Sequence, residues 1–371
     1  ELEAYGGSAI EYTVDSIVGK TGIEQYLEKE LQGVDGERHF IVNNVGKVVG
    51  EEMIVRESVS GRDVYLSIDK DLQIAVYHIL EQKLADIIAA NLINAKEFDK
   101  TGLADTTEIR IPIYDVYIAL FENQIIRTAD FYRSNATELE RAIAEAWEKE
   151  QEEVLEALRQ ELLEGDTGYC NLAAKMQAYE SYIVDECGLL EDSLIDSNDA
   201  VYGRWKNGGD ISIKEFLLYA IESGWLRTDV LDSDKRYFTT EEMYELLVEY
   251  IEERLKNSSA LKKMLFRYMI LEDKISKTDI CILLYDQGIL PATDEDYEKL
   301  LAGKMDSFSF MKKKIEQLEI TPAQLALDPC SASAVVVQEG TGQVLACVSY
   351  PGYDHNRLAN QMDTEYYNQL L

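Results

Sequence analysis

A chain of 371 residues has ample length for a buried core and suggests two or three domains. Its 70 Asp+Glu against 36 Lys+Arg give a formal net charge of −34, which argues against nucleic acid or an anionic membrane surface as a partner. Five cysteines without a CxxC pair, and three histidines (39, 78 and 355) without HxxxH spacing, argue against a disulfide framework and a His-based metal centre. No cofactor is expected. No apolar run is long enough to span a bilayer.

Residues 1–18 are weakly patterned. Gly19-Lys20-Thr21-Gly22 then introduces a helix with Ile23, Tyr26, Leu27 and Leu31 on one face, closed by Gly33. Arg38–Val42 and Lys47–Val55 flank Asn43-Asn44-Val45-Gly46, a hairpin signal. Gly61 leads into an expected strand over 63–68. Asp69 follows as a helix N-cap, with Asp71 in the first turn, where the helix dipole favours it. The helix that begins there carries Leu72, Ala75, Val76, Ile79, Leu80, Leu84, Ile87 and Ile88 as an apolar stripe.

From about Asp99 to Asp328 the pattern is acidic and helical. Thr137–Glu140 and Thr239–Glu242 read as capping boxes. The first opens a long helix with Ile143, Trp147, Val154, Leu158 and Leu162 inward. The second opens one with Met243, Leu246, Leu247, Tyr250, Ile251 and Leu255 inward. Further helices are expected over 172–186, 213–222, 261–271, 277–287 and 311–318, and no fixed-period repeat is evident. Beyond the block, Ala334–Val337 and Val344–Ser349 are apolar, β-branched runs joined by Glu339-Gly340-Thr341-Gly342, a second hairpin. Tyr350-Pro351-Gly352-Tyr353 ends it, because proline cannot donate to a ladder. The hairpin needs a partner surface, and the Leu72/Val76/Ile79 face is the expected one, with an exposed edge that frays or self-associates.

Three segments resemble class B penicillin-binding proteins, in that family's order: GKTGIEQYLEKELQGVDGERHFIVNNVGKVV, GRDVYLSIDKDLQIAVYHILEQKL and ITPAQLALDPCSASAVVVQEGTGQVLACVSYPGYDHNRLAN. The resemblance implies an α+β chain with a pedestal (dimerisation-like) region at 1–68 and the first helix of a transpeptidase-like domain at 69–98. A helical insertion at 99–328 and the first two strands of that domain, truncated, at 329–371 complete it. Gly19, Thr21, Gly22, Glu24, Asp69, Asp71, Gly342, Tyr350 and Pro351 fall on the family's structural motifs, and Glu24 is expected to pair with a basic residue of the pedestal.

What the resemblance further implies is a D,D-transpeptidase at the extracytoplasmic face of a bacterial membrane, held by an anchor missing from this sequence. Its partners would be peptidoglycan stem peptides and β-lactams in the full-length parent, with a homodimer or division or elongation proteins besides. The family needs S-x-x-K, S-x-N and K-T-G downstream of the Tyr350-Pro351 segment. This chain, which opens without Met, reads as a fragment that stops before them, inactive alone.

Several strings mimic functional motifs. Ser259–Lys262 and Ser309–Lys312 spell S-x-x-K but lie upstream of the first sheet strand, on the wrong side. Lys20-Thr21-Gly22 spells K-T-G but precedes a helix and reads as turn chemistry. The same stretch fails as a phosphate loop, because Val14 stands where a glycine is needed. Asp232-Ser233-Asp234 begins like a calcium loop, but Tyr237 and Met243 replace its turn glycine and bidentate glutamate. His355 reads as a solvated side chain, and the 23 tyrosines as half-buried packing rather than a glycan-stacking surface. Two functions stay open: the non-catalytic front of a transpeptidase, or a non-enzymatic scaffold that binds division or elongation partners through the helical block.

Overall fold

The computed structural model describes residues 12, 16–50, 53–99, 101, 105, 108–227, 239–358 and 362–370. The chain is α+β and divides into two compact units: Glu1–Leu80 with Ser333–Leu371, and Glu81–Ala332. The division falls inside a helix, eighteen residues earlier than the change of composition at 98/99 suggests.

In the first unit, the expected pedestal helix is two short pieces, α1 (Gly22–Tyr26) and α2 (Glu28–Leu31), separated at Leu27. Its supposed inner face is a correction: Ile23 and Tyr26 are exposed, and the residue turned inward is Glu28. The physical reason is Gly19, which packs on the Glu24 and Gln25 backbone and gives its N–H to Glu28, so the helix start meets polar backbone rather than an apolar surface. The first hairpin forms, with β1 (Glu37–His39) antiparallel to β2 (Met53–Arg56) and a bulge beside Arg38. Asn43 Oδ1 accepts from the Val45 and Lys47 N–H groups at 3.1 and 3.0 Å, and Gly46 takes the left-handed backbone (φ 78) that the turn requires. Every side chain on these two strands is exposed.

The expected strand at 63–68 is absent. Among the described residues, Ser67 Oγ donates to Val344 O (2.7 Å) and Asp69 N–H, just past the segment, to Leu345 O (2.8 Å), too few bonds for a ladder. Helix α3 (Lys70–Asn91) follows, capped by Asp69 Oδ1 accepting from Leu72 N–H at 3.0 Å. The apolar stripe is also corrected. Ile79 is 65% exposed, and the buried face is Leu84, Ala85, Ile88 and Ala89.

The second unit is helical, with a two-residue parallel pairing of Leu92–Ile93 with Ile111–Pro112 near its start. Its helices are α4 (Ile113–Glu122), α5 (Glu138–Glu164), α6 (Ala174–Glu186), α7 (Ala200–Lys206), α8 (Ile213–Glu222), α9 (Thr240–Asn257) and α10 (Ser259–Leu271). The series continues with α11 (Lys277–Asp286), α12 (Glu295–Leu301), α13 (Ser307–Glu316) and α14 (Pro322–Leu325). Both expected capping boxes form, on α5 and α9. The inward set of α5 is as expected, whereas α9 buries Tyr244, Leu247, Val248, Ile251 and Leu255. Helix α4 is buried almost all round, from Ile113 to Phe121.

A fixed period does exist at the end of this unit. Asp273, Gly288, Gly303 and Leu318 hold left-handed backbone 15 residues apart, each just past the end of a helix. After each, the next N–H reaches back five residues, as in Lys274 to Met269 O and Ile289 to Leu284 O (2.8 and 2.9 Å). This is the Schellman closure, and it turns the chain the same way four times. Only two of the four positions are glycine, so the period is carried by backbone conformation and hides from residue identity.

The chain then returns to the first unit. Strands β3 (Ala332–Val337) and β4 (Val344–Tyr350) form a two-stranded sheet, with Gly340 and Gly342 at φ 87 and 73 in the turn. Ala346, Val348 and Tyr350 of β4 are buried, while Val335 and Val337 of β3 are exposed. A single turn at His355–Arg357 precedes α15 (Thr364–Leu370). Among the described residues, no helix is long and apolar enough to cross a membrane.

Candidate functional site

The residues singled out by sequence fall into two groups within the first unit. In the pedestal loop, Gly19 lies against the backbone of Glu24 and Gln25, where any Cβ would collide. Its N–H donates to Glu28 Oε2 at 2.7 Å, in a buried bond that sequence reasoning missed. Tyr12 OH also donates to Glu28, at 3.3 Å. Thr21 occupies the N-cap of α1 without a side-chain cap bond, and Gly22 takes φ 62. Glu24 is exposed and has no ion-pair partner among the described residues. The pair formed is Arg62 with Glu30, at 2.8 Å. Nothing in the residue pattern marks Glu28 as buried, because it sits off the apolar stripe of its helix.

The second group is the junction of α3 with β4. Asp69 caps α3 and is itself tied to Leu345 O, while Asp71 is exposed in the first turn. One turn further, Gln73 Oε1 accepts the Cys347 N–H at 3.0 Å, and Tyr77 packs on Tyr350 with ring centres 5.3 Å apart. Thus the hairpin is held through Gln73 and Tyr77 of α3; of the expected Leu72/Val76/Ile79 face, Leu72 and Val76 are half-buried and Ile79, a correction, is exposed to solvent. Tyr350 ends β4 buried, and Pro351 follows exposed. Gly342 lies at the far turn of the hairpin.

Tyr77, Ile74, Val348, Tyr353 and Tyr366 line a groove of about 450 Å³ at this junction. Its outer wall is organised by Arg357, which pairs with Asp363 at 2.6 Å and lies 4.1 Å from the Tyr366 ring centre. The Tyr366 N–H and then the Arg357 guanidinium hold the Asp363 carboxyl below its ordinary value. Among the described residues that line it, Ser349 and Cys347 carry the nucleophilic groups, and no lysine or histidine stands with them.

The misleading strings have structural employment. Ser259 opens α10, and Lys262 Nζ sits 5.9 Å over the Trp147 ring. Ser309 N–H donates to the Asp306 cap at 3.0 Å. His355 is exposed against Tyr353, and the Asp232–Tyr237 loop lies outside the described residues. No carboxylate, thiol or imidazole cluster among the described residues could hold a metal.

Comparison with known proteins bears on the first group directly. Residues 1–66 match the penicillin-binding protein dimerisation domain. This match, with the relatives below, supports a class B penicillin-binding protein N-terminal region at the front of this chain. The chain is 38% identical over 69 residues to the peptidoglycan D,D-transpeptidase MrdA of Haemophilus influenzae. It is 32% identical over 85 residues to MrdA of Escherichia coli K12 and 30% over 84 residues to that of Salmonella typhimurium LT2. These matches cover 19 to 23% of this chain and only 10 to 13% of the relatives. No solved structure matches. The dimerisation domain therefore includes Gly19, Glu28 and the β1–β2 hairpin, and the helical block lies beyond it.

Proposed function

We propose that this chain is the non-catalytic front portion of a peptidoglycan D,D-transpeptidase that cross-links stem peptides outside a bacterial membrane. The observation that carries this reading is the dimerisation-domain match at residues 1–66, followed at once by the Asp69-capped helix pinned to the β3–β4 hairpin. In this reading residues 1–68 are the pedestal. Residues 69–98 and 329–371 open the transpeptidase-like domain, and 99–328 are a helical module inserted between them. Acylation by stem peptide or β-lactam is the chemistry of the transpeptidase to which this reading assigns the chain. The junction supplies the first strands on which a larger sheet is built.

A second reading, a scaffold without chemistry, draws on one observation. Phe40, Ile41, Val42, Val45, Val48 and Val49 are all exposed around the first hairpin, a surface suited to a second copy or to another protein of the division or elongation machinery. Fluorescent penicillin separates the readings. The parent protein carrying sequence beyond Leu371 is expected to label covalently while residues 1–371 do not. A parent that folds, stays unlabelled and still retains a protein partner would favour the scaffold.

A further inference from the structure

The C-terminal turns of α6 and α9 and the start of α10 line a cleft of about 560 Å³ in the helical unit, a size that suits a small molecule. Tyr182 and Tyr250 are half-buried in its wall, while Glu186, Glu253 and Arg254 are exposed to it. The Arg254 guanidinium pairs with neither glutamate, nor with any other carboxylate among the described residues. Other clefts of this unit spend their cations internally. In the one lined by Leu189 and Tyr202, Lys206 is held by Asp185 at 2.6 Å, and in the one between α4 and α14, Arg267 faces Glu122 at 3.8 Å. Burial pushes the Cys187 thiol in the wall up to about 11, with Arg254 opposing, so at neutral pH it is a protonated packing group and no nucleophile. The cleft is therefore fitted for binding rather than for chemistry.

We propose that this cleft binds a small zwitterion, an amino acid or short peptide with both ends free. Its carboxylate is held by Arg254, its ammonium by Glu186 and Glu253, and its body lies against Tyr182 and Tyr250. A simple anion would meet two carboxylates, and a simple cation the guanidinium. Unpaired charges of both signs around one cleft are complementary to a molecule that carries both. The site belongs to the helical unit alone and stands whether or not the chain is part of a transpeptidase.

Titration calorimetry of the full chain with trialanine is expected to show saturable binding below about 10 mM. N-acetyl-trialanine and trialanine amide, each lacking one charge, should bind about fivefold more weakly. Arg254→Gln should weaken trialanine by a similar factor and leave the amide unaffected. Glu186→Gln combined with Glu253→Gln should also weaken trialanine and leave the N-acetyl peptide unaffected. All three side chains are exposed, so the variants should keep the wild-type melting temperature, and the blocked peptides test the wild type without any substitution. No saturation with trialanine, equal binding of free and blocked peptides, or unchanged affinity in Arg254→Gln would overturn the proposal.

Discussion

The β1–β2 hairpin and helix α4 have similarly apolar sequences and opposite fates. Phe40, Ile41, Val42, Val45, Val48 and Val49 stand in solvent, whereas Ile113 to Phe121 are buried almost without exception. The helical unit closes a core on itself. In the dimerisation domain a short bulged hairpin has no layer over it among the described residues, so its apolar side chains form a surface instead of an interior. An apolar stretch thus reports burial only when the fold supplies something to bury it against.

The largest effects should come from the helical unit. Phe310→Ala, at a fully buried position, is expected to cost about 3–5 kcal/mol in urea unfolding. Lys314→Ala should cost a comparable about 3–5 kcal/mol, because Lys314 is 1% exposed and removing it strands Asp296, also 1% exposed, along with Asp294. The repeat explains this ion cluster: Lys314 stands where the two earliest turns place Met269 and Leu284, each five residues before the N–H that closes the turn. Lys314→Met combined with Asp296→Asn should recover much of the loss, since a buried ion pair is seldom better than an apolar isostere. Burial opposes ionisation of Asp296, but hydrogen bonds from Lys313, Lys299 and Lys314 outweigh it and hold the carboxyl at about 2. Its contribution is therefore present above about pH 4 and is lost as pH falls through about 2, which acid titration of the helical circular dichroism would follow.

Effects in the first unit should be smaller and sharpen the contrast. Gly61→Ala forces a Cβ into the Leu31 carbonyl and is expected to cost about 1–3 kcal/mol, read from exchange protection of the Val34 and Val59 amides that pair beside it. Asp69→Ala removes the α3 cap and should cost about 1 kcal/mol. Least of all, Ile41→Ser should change stability by less than about 0.5 kcal/mol. Its effect belongs to self-association, measured by sedimentation; a monomer either way would mean that the exposed hairpin serves another partner. Full protection of Val335–Val337 amides in a dilute monomer would break the picture of an exposed β3 edge.

What the sequence made legible follows from which signals are local. The capping boxes at Thr137 and Thr239, the Asp69 cap and the two hairpin turns are written in residues a few positions apart, and all formed. The amphipathic helices α5 and α8 are legible from the same short-range period. Helix α4 is not: its IYDVYIALF run is apolar all round, and a helix buried on every side shows no period. The α3 contacts with β4 are hard to see in the sequence because Gln73 and Tyr77 act through a hydrogen bond and a ring contact rather than through apolar periodicity. Glu28 and Lys314 are an acid and a base whose burial depends on partners distant in sequence, and no window around them reveals it. The family's motifs single out Gly19 and Gly22, but they could not indicate which glutamate the Gly19 amide would choose.

The tie between Ser67 and Val344 spans 277 residues, and that between Gln73 and Cys347 spans 274. During synthesis the first partner of each pair waits while the entire helical unit is made. Closing so long a flexible loop is entropically expensive and kinetically slow. Once the helical unit has folded, however, Gln82 Nε2 donates to Glu316 O at 3.0 Å, so α3 at its entry already lies beside the end of α13 and the remaining search is shorter. Assembly of the first unit is then paced by the folding of the block in its middle.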